Sequence, residues 1–180
     1  MAIAISCCPP TDDSKVLPVT LRAQQTSQWC WAASGQMCME WLGTNVAQCT
    51  QANNRFSQTT CCNSPTPGVC VVGGWPEFNK YGFTSLNTVN SALSWEKIKE
   101  EIDCGNRPFT YTWHWAGGSG HMVAIVGYST GVCNGQRFLH VNDPLPVNTG
   151  SNYTITYDAY VAGSPGSSHW NDYYEIKKTP

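Results

Sequence analysis

Ten of the 180 residues are cysteine, and four of them form two adjacent doublets, Cys7-Cys8 and Cys61-Cys62. So many thiols in one short chain read as a disulfide framework, and hence as an oxidising compartment. Zinc is the rival, but there is no C-x-x-C pair, and doublets are awkward around one tetrahedral ion. Neighbouring cysteines rarely bond each other because the ring they close is strained. Each doublet is therefore expected to reach two separate partners, which draws remote segments together and favours a stapled, loop-rich region. Ten cysteines can pair evenly into five bridges; if one is free, a second must be unpaired or intermolecular.

Charged residues make up only 12% of the chain, about half the usual share for a soluble domain. Asn, Thr, Ser, Gln and Gly replace them, as suits an extracellular surface. The formal charge of −2 and the lack of any Lys/Arg run argue against nucleic acid or an anionic membrane as partner. No apolar stretch approaches the roughly 20 residues of a membrane span. "MAIAIS" is too short for a signal-peptide core and has no basic start, so secretion implies a removed signal or another export route. A chain of this length suits one domain with a real core.

Residues 1–23 read as an extended arm with Pro9, Pro10 and Pro18. A helix is expected from about Gln28 to Leu42, stopped by Gly43, with Ala32, Ala33, Met37 and Trp41 on one stripe. The next 30 or so residues show little periodicity, and Cys49, Cys61, Cys62 and Cys70 are expected to staple them. "LSWEKIKEEIDCGNRPF" reads as a helix capped by Ser94, with a Leu93–Ile98 staple, ended by Gly105 and Pro108. Lys97, Glu100 and Glu101 are expected on its solvated face. Strands follow in "FTYTWHW", "HMVAIVGY" and "RFLHVNDP", then "NYTITY" and "DYYEIKK". Helix first and antiparallel sheet later makes an α+β chain.

One stretch, "QQTSQWCWAASGQMCMEWLG", sets Cys30 between two tryptophans near a helix start. Unpaired N–H groups there favour a thiolate, as does a nearby imidazolium. His121 is flanked by Gly120 and begins a strand; Asp143 ends the next one, 22 residues on, so adjacent antiparallel strands bring the two close. Gln24, six residues before Cys30, is a candidate oxyanion donor beside the Cys30 N–H. The opposed reading of Cys30 is a disulfide, though not with Cys38, which lies about 12 Å away along the helix. His121 is otherwise a satisfied core histidine and Gln24 a surface amide, while His114, His140 and His169 keep structural roles. The flanking tryptophans are core material on either reading. Trp113 or Trp115 could wall a cleft, and Trp170 could shield the His121–Asp143 pair.

The spacing Q-x5-C-W resembles the nucleophile region of papain-like cysteine proteases. The fuller "QxxxxWCWAA" is similar to the bacterial branch of that clan that includes the Avr-type effectors. "WEKIKEEIDCGNRPF", "GSGHMVAIVGY" and "VNDP" resemble, in order, its pre-histidine helix, histidine strand and x-D-P turn. The resemblance implies a papain-like fold over residues 1–180. It would comprise an arm (1–23), a mainly helical, disulfide-stapled part with the cysteine helix (24–105) and an antiparallel sheet part (106–180). It implies Cys30 as nucleophile, His121 as base, Asp143 as orienting acceptor and Gln24 in the oxyanion hole. Trp29, Trp31 and Gly120 fall at substrate-binding positions. Asn142 competes with Asp143, because strand neighbours point to opposite sides. The expected activity is secreted peptide-bond hydrolysis on a protein or peptide substrate by a monomer, with no cofactor and no metal. The alternatives are a transglutaminase, amidase or deamidase using the same triad, and a disulfide-rich binding or toxin module without chemistry.

Overall fold

The computed structural model describes residues 14–131, 135–163 and 166–180; the Cys7-Cys8 doublet and Cys133 lie outside them. Helix α1 (Cys30–Trp41) ends at Gly43, whose φ of 86° is the left-handed geometry that halts a helix. It is not amphipathic. Every residue from Trp31 to Met39 is buried, because the sheet covers one side while α2 (Gln48–Phe56) and the stapled loop cover the other. The small residues Ala32, Ala33, Ser34 and Gly35 permit that approach: a Cβ on Gly35 would come to 3.0 Å from both Gln51 Oε1 and Pro76 Cβ.

Seven strands form one antiparallel sheet. They are β1 (Ser14–Val16), β2 (Phe83–Asn87), β3 (Phe109–Trp115), β4 (Gly120–Thr130), β5 (Arg137–Asp143), β6 (Ser151–Thr156) and β7 (Ser167–Lys178). The order is β2-β7-β3-β4-β5-β6, with β1 added to β4. β3 pairs with residues 120–125 of β4, and β1 with 127–129. That contact explains Gly127: a Cβ there would lie 2.6 Å from the Lys15 carbonyl oxygen. The arm thus donates a strand, and β2 reaches the sheet from the mainly helical half of the chain. Three residues of β1 and five of β2 offer too little alternation to read as strands.

Helix α3 (Trp95–Lys99) runs into a π-helical turn (Glu100–Cys104), and Ser94 Oγ accepts from the Lys97 N–H as a cap should. Glu101 departs from the expected solvated face. It is fully buried, paired by both oxygens with Arg107 at 3.1 and 3.0 Å, and accepts the Glu175 N–H. A local periodicity cannot show that β7 passes over this face. Helix α4 (Tyr157–Ala162) packs on β5, β6 and β7.

Cys61 bonds Cys70 and Cys62 bonds Cys49, so that doublet does reach two separate partners. Cys104 is disulfide-bonded as well. Cys30 and Cys38 are the free cysteines among the described residues, and Cys38 is fully buried. Burial pushes the Cys38 thiol far above its ordinary range, which leaves it inert. The main core lies between the sheet and α1, α3 and α4; a second cluster gathers Trp29, Trp31, Ala52, Cys61, Cys70 and Met122.

Candidate active site

Cys30 is the first residue of α1, and no side chain caps that helix end. The N–H groups of a first helical turn have no intrahelical acceptor and favour negative charge beside them. One turn on, Ser34 Oγ donates to the Met122 carbonyl at 3.1 Å, fixing α1 against β4 next to His121. Cys30 and His121 line the same cleft, and the interaction between them favours the imidazolium.

His121 and Asp143 lie on neighbouring strands, but not opposite one another. Ala124 pairs with Asn142, so the same register sets Asp143 two residues along from His121 on the same face. This diagonal suffices: His121 Nε2 lies 2.6 Å from Asp143 Oδ1. Asp143 Oδ1 also accepts the Leu145 N–H at 2.8 Å, and Oδ2 accepts the Tyr153 hydroxyl at 2.8 Å. A carboxylate holding three donors fixes the imidazole proton on Nε2 and leaves Nδ1 for Cys30. Burial opposes charge on His121, but its interactions with Asp143 and Cys30 outweigh it and raise its pKa to about 9. Burial likewise opposes charge on Asp143, and His121, Leu145 and Tyr153 together pull its pKa below the ordinary carboxylate value. Asn142 faces the other way, donating to the Val19 carbonyl and accepting from Asn152.

Gln24 is 1% exposed. Its N–H donates to the Pro144 carbonyl, its carbonyl accepts from Asn148, and Gln48 clamps the flanking Ala23 and Gln25. Its Nε2 donates to the Thr26 carbonyl at 2.8 Å, leaving a second amide proton free. Gln24, Cys30, Gly120 and His121 all line one cleft of about 490 Å³. Arg55, Gly73, Gly74, Trp75, Trp115 and Trp170 complete much of its wall. Gly120 is required there, since a Cβ would sit 2.6 Å from the Trp113 carbonyl oxygen and 3.2 Å from the Trp170 ring.

Trp29 and Trp31 do not reach this cleft, contrary to expectation. Each is 1% exposed, with its indole N–H donated to the carbonyl of Cys70 and of Val72 respectively. They anchor the stapled loop instead of touching ligand. Trp113 packs edge-on against His121 at 5.1 Å. A second histidine–carboxylate pair, His169 and Asp172 at 3.2 Å, is enclosed by Tyr111 and Tyr160 away from the cleft. Its burial keeps it structural, as expected of His169. Tyr153, Ser34 and Arg55 are contributors that sequence reasoning missed. Pairing "NYTITY" against "RFLHVND" would have found Tyr153; nothing local marks the other two.

A buried cysteine helix packed on an antiparallel sheet, with the cleft at their junction, is a papain-like fold. The chain belongs to the Peptidase_C39 like family, whose family model matches residues 16–176. The fold is similar to the peptidase domain of Streptococcus ComA, a bi-functional ABC transporter involved in quorum sensing, with TM-score 0.51 and 13% identity over 89% of this chain and 99% of that one. It is similar also to the stem bromelain precursor, with TM-score 0.50 and 11% identity over 94% of this chain and 71% of that one. Digestive procathepsin L 3 of Tenebrio molitor larval midgut gives TM-score 0.52 and 12% identity over 93% and 72%. No curated protein matches the sequence significantly.

Proposed function

We propose that this protein is a secreted endopeptidase working through a Cys30–His121–Asp143 triad and a thioester acyl-enzyme. The observation that carries the reading is the hydrogen bond of His121 to Asp143 at the cleft that Cys30 also lines. The Cys30 sulfur attacks the scissile carbonyl carbon, forming a C–S bond and an oxyanion. The Cys30 N–H and the free Gln24 amide proton stabilise that charge. The His121 imidazolium then gives its proton to the leaving amine nitrogen as the C–N bond breaks. Water attacks the thioester with His121 taking its proton, and Cys30 departs as thiolate while the carboxylic acid product forms. Asp143 holds the imidazole in its tautomer and balances its charge.

The bridges Cys49–Cys62 and Cys61–Cys70 and the bonded Cys104 support an extracellular site of action. No helix among the described residues is long and apolar enough to cross a membrane. Cys30→Ala is expected to reduce hydrolysis of a denatured protein substrate by at least about 10⁴-fold, as loss of a nucleophile does, with an unchanged melting curve. Activity retained in a folded Cys30→Ala protein would refute the assignment. Adding a primary amine to the assay separates hydrolysis from amide transfer: the endopeptidase reading expects free acid as the main product.

A further inference from the structure

The wall of the cleft contains, among the described residues, one permanent charge. Apart from Cys30 and His121, its lining is Gln, Ser, Thr, Gly, Met, Leu and Trp, with Arg55 and no carboxylate. Arg55 comes from the last turn of α2 and lies across Gly74 towards Trp31. A Cβ on Gly74 would meet Arg55 Nε at 2.5 Å and the Trp31 ring at 2.9 Å, so glycine is what admits the guanidinium there. Its charge sits 5.7 Å from the Trp31 ring centroid, and Nη1 donates to the Trp75 carbonyl at 3.3 Å.

The guanidinium is incompletely partnered. Nε is buried with no acceptor, a costly state for a charged donor. Its nearest carboxylate, Glu77, stands 3.9 Å away and lies closer to Lys80, at 2.9 Å. The planar fork of Arg55 is thus held in place by Trp31, Gly74 and Trp75, with Nε enclosed and the rest of the side chain part-exposed at the cleft. Such a fork matches a carboxylate.

We infer that Arg55 is a specificity-determining residue that binds a carboxylate of the peptide substrate. The inference rests on the endopeptidase reading above and adds the chemical class of substrate to it. The carboxylate comes either from an Asp or Glu side chain near the scissile bond or from the C-terminus of a short peptide; both present the same two oxygens. Trp75 and Trp170, in edge-to-face contact at 4.6 Å, line the same cleft.

The test is a positional library of quenched fluorescent peptides, run on the intact protein, in which Glu replaces Gln and Asp replaces Asn at each position. Each peptide is made with a free or an amidated C-terminus. At one position the acidic member is expected to be cleaved about 10- to 100-fold faster in kcat/KM than its amide counterpart, the range for one buried charged contact. Preference for the free over the amidated terminus instead would assign the terminal carboxylate. Arg55→Gln should abolish the preference, and Arg55→Glu should reverse it in favour of Lys, a gain that a misfolded variant cannot produce. Cleavage of Glu and Gln, Asp and Asn, and both termini at equal rates overturns the proposal while leaving the endopeptidase reading standing. An acidic preference that persists in Arg55→Gln overturns it too. If no peptide is cleaved while Cys30 still reacts with iodoacetamide, the endopeptidase reading itself fails.

Discussion

At the scale of single residues, the charge on His121 is the quantity to follow. Its pKa rises to about 9 because its interactions with Asp143 and Cys30 overcome burial, so the alkaline limb of kcat/KM is expected near pH 9. Asp143→Asn removes the charge that holds the imidazolium, and this limb should move to lower pH as kcat falls. Tyr153→Phe removes one of three donors to the carboxylate and should move the limb the other way by a smaller step, since a less satisfied Asp143 is the stronger base. The same shifts act on stability. The His121 contribution is fully present below its unfolded value of 6.5 and is lost as pH rises through about 9. The Asp143 contribution is present above 3.8 and is lost as pH falls through its lower folded value. Thermal melts across pH, with Asp143→Asn beside the parent, check both signs.

At the scale of elements, the joint between α1 and β4 sets the distance between sulfur and imidazole. Ser34 supplies a buried side-chain bond to the β4 backbone next to His121. Ser34→Ala should cost about 1–2 kcal/mol, or roughly 2–8 °C in melting temperature for a chain of this size. It should also slow acylation more than it weakens substrate binding, and a kcat-against-KM comparison reads that split. The elements with strong local signals were legible in the sequence: α1 from its glycine stop, α3 from Ser94, and strands β3 to β7 from their apolar runs. β1, β2 and the burial of Glu101 were not, because each depends on a distant strand passing over it. The pairing of His121 with Asp143 followed from chain order alone, whereas its diagonal register and Tyr153 required the hairpin geometry of β5 and β6. Trp29 and Trp31 were legible as core material from their residues, and only the family resemblance set them at substrate-binding positions.

At the scale of the whole molecule, the stapled loop carries one wall of the cleft, since Gly73, Gly74 and Trp75 follow directly on Cys70. Chain entropy gives about 2.5–3 kcal/mol for closing each loop, of 13 and 9 residues. Replacing Cys61 and Cys70 by alanine should therefore lower the melting temperature by roughly 5–12 °C, and KM should rise because the wall loses its anchor. The two free thiols among the described residues divide the molecule's chemistry: Cys38 is sealed in the core, while Cys30 opens on the cleft beside His121. The decisive measurement is mass mapping of every cysteine after brief iodoacetamide treatment of the folded, unreduced protein, repeated between pH 5 and 9 with His121→Ala alongside. Cys30 should be modified fast near neutral pH and slowly in the variant, with Cys38 untouched. A Cys30 that resists alkylation, or one that reacts at the same rate without His121, would contradict a thiolate held by that imidazole.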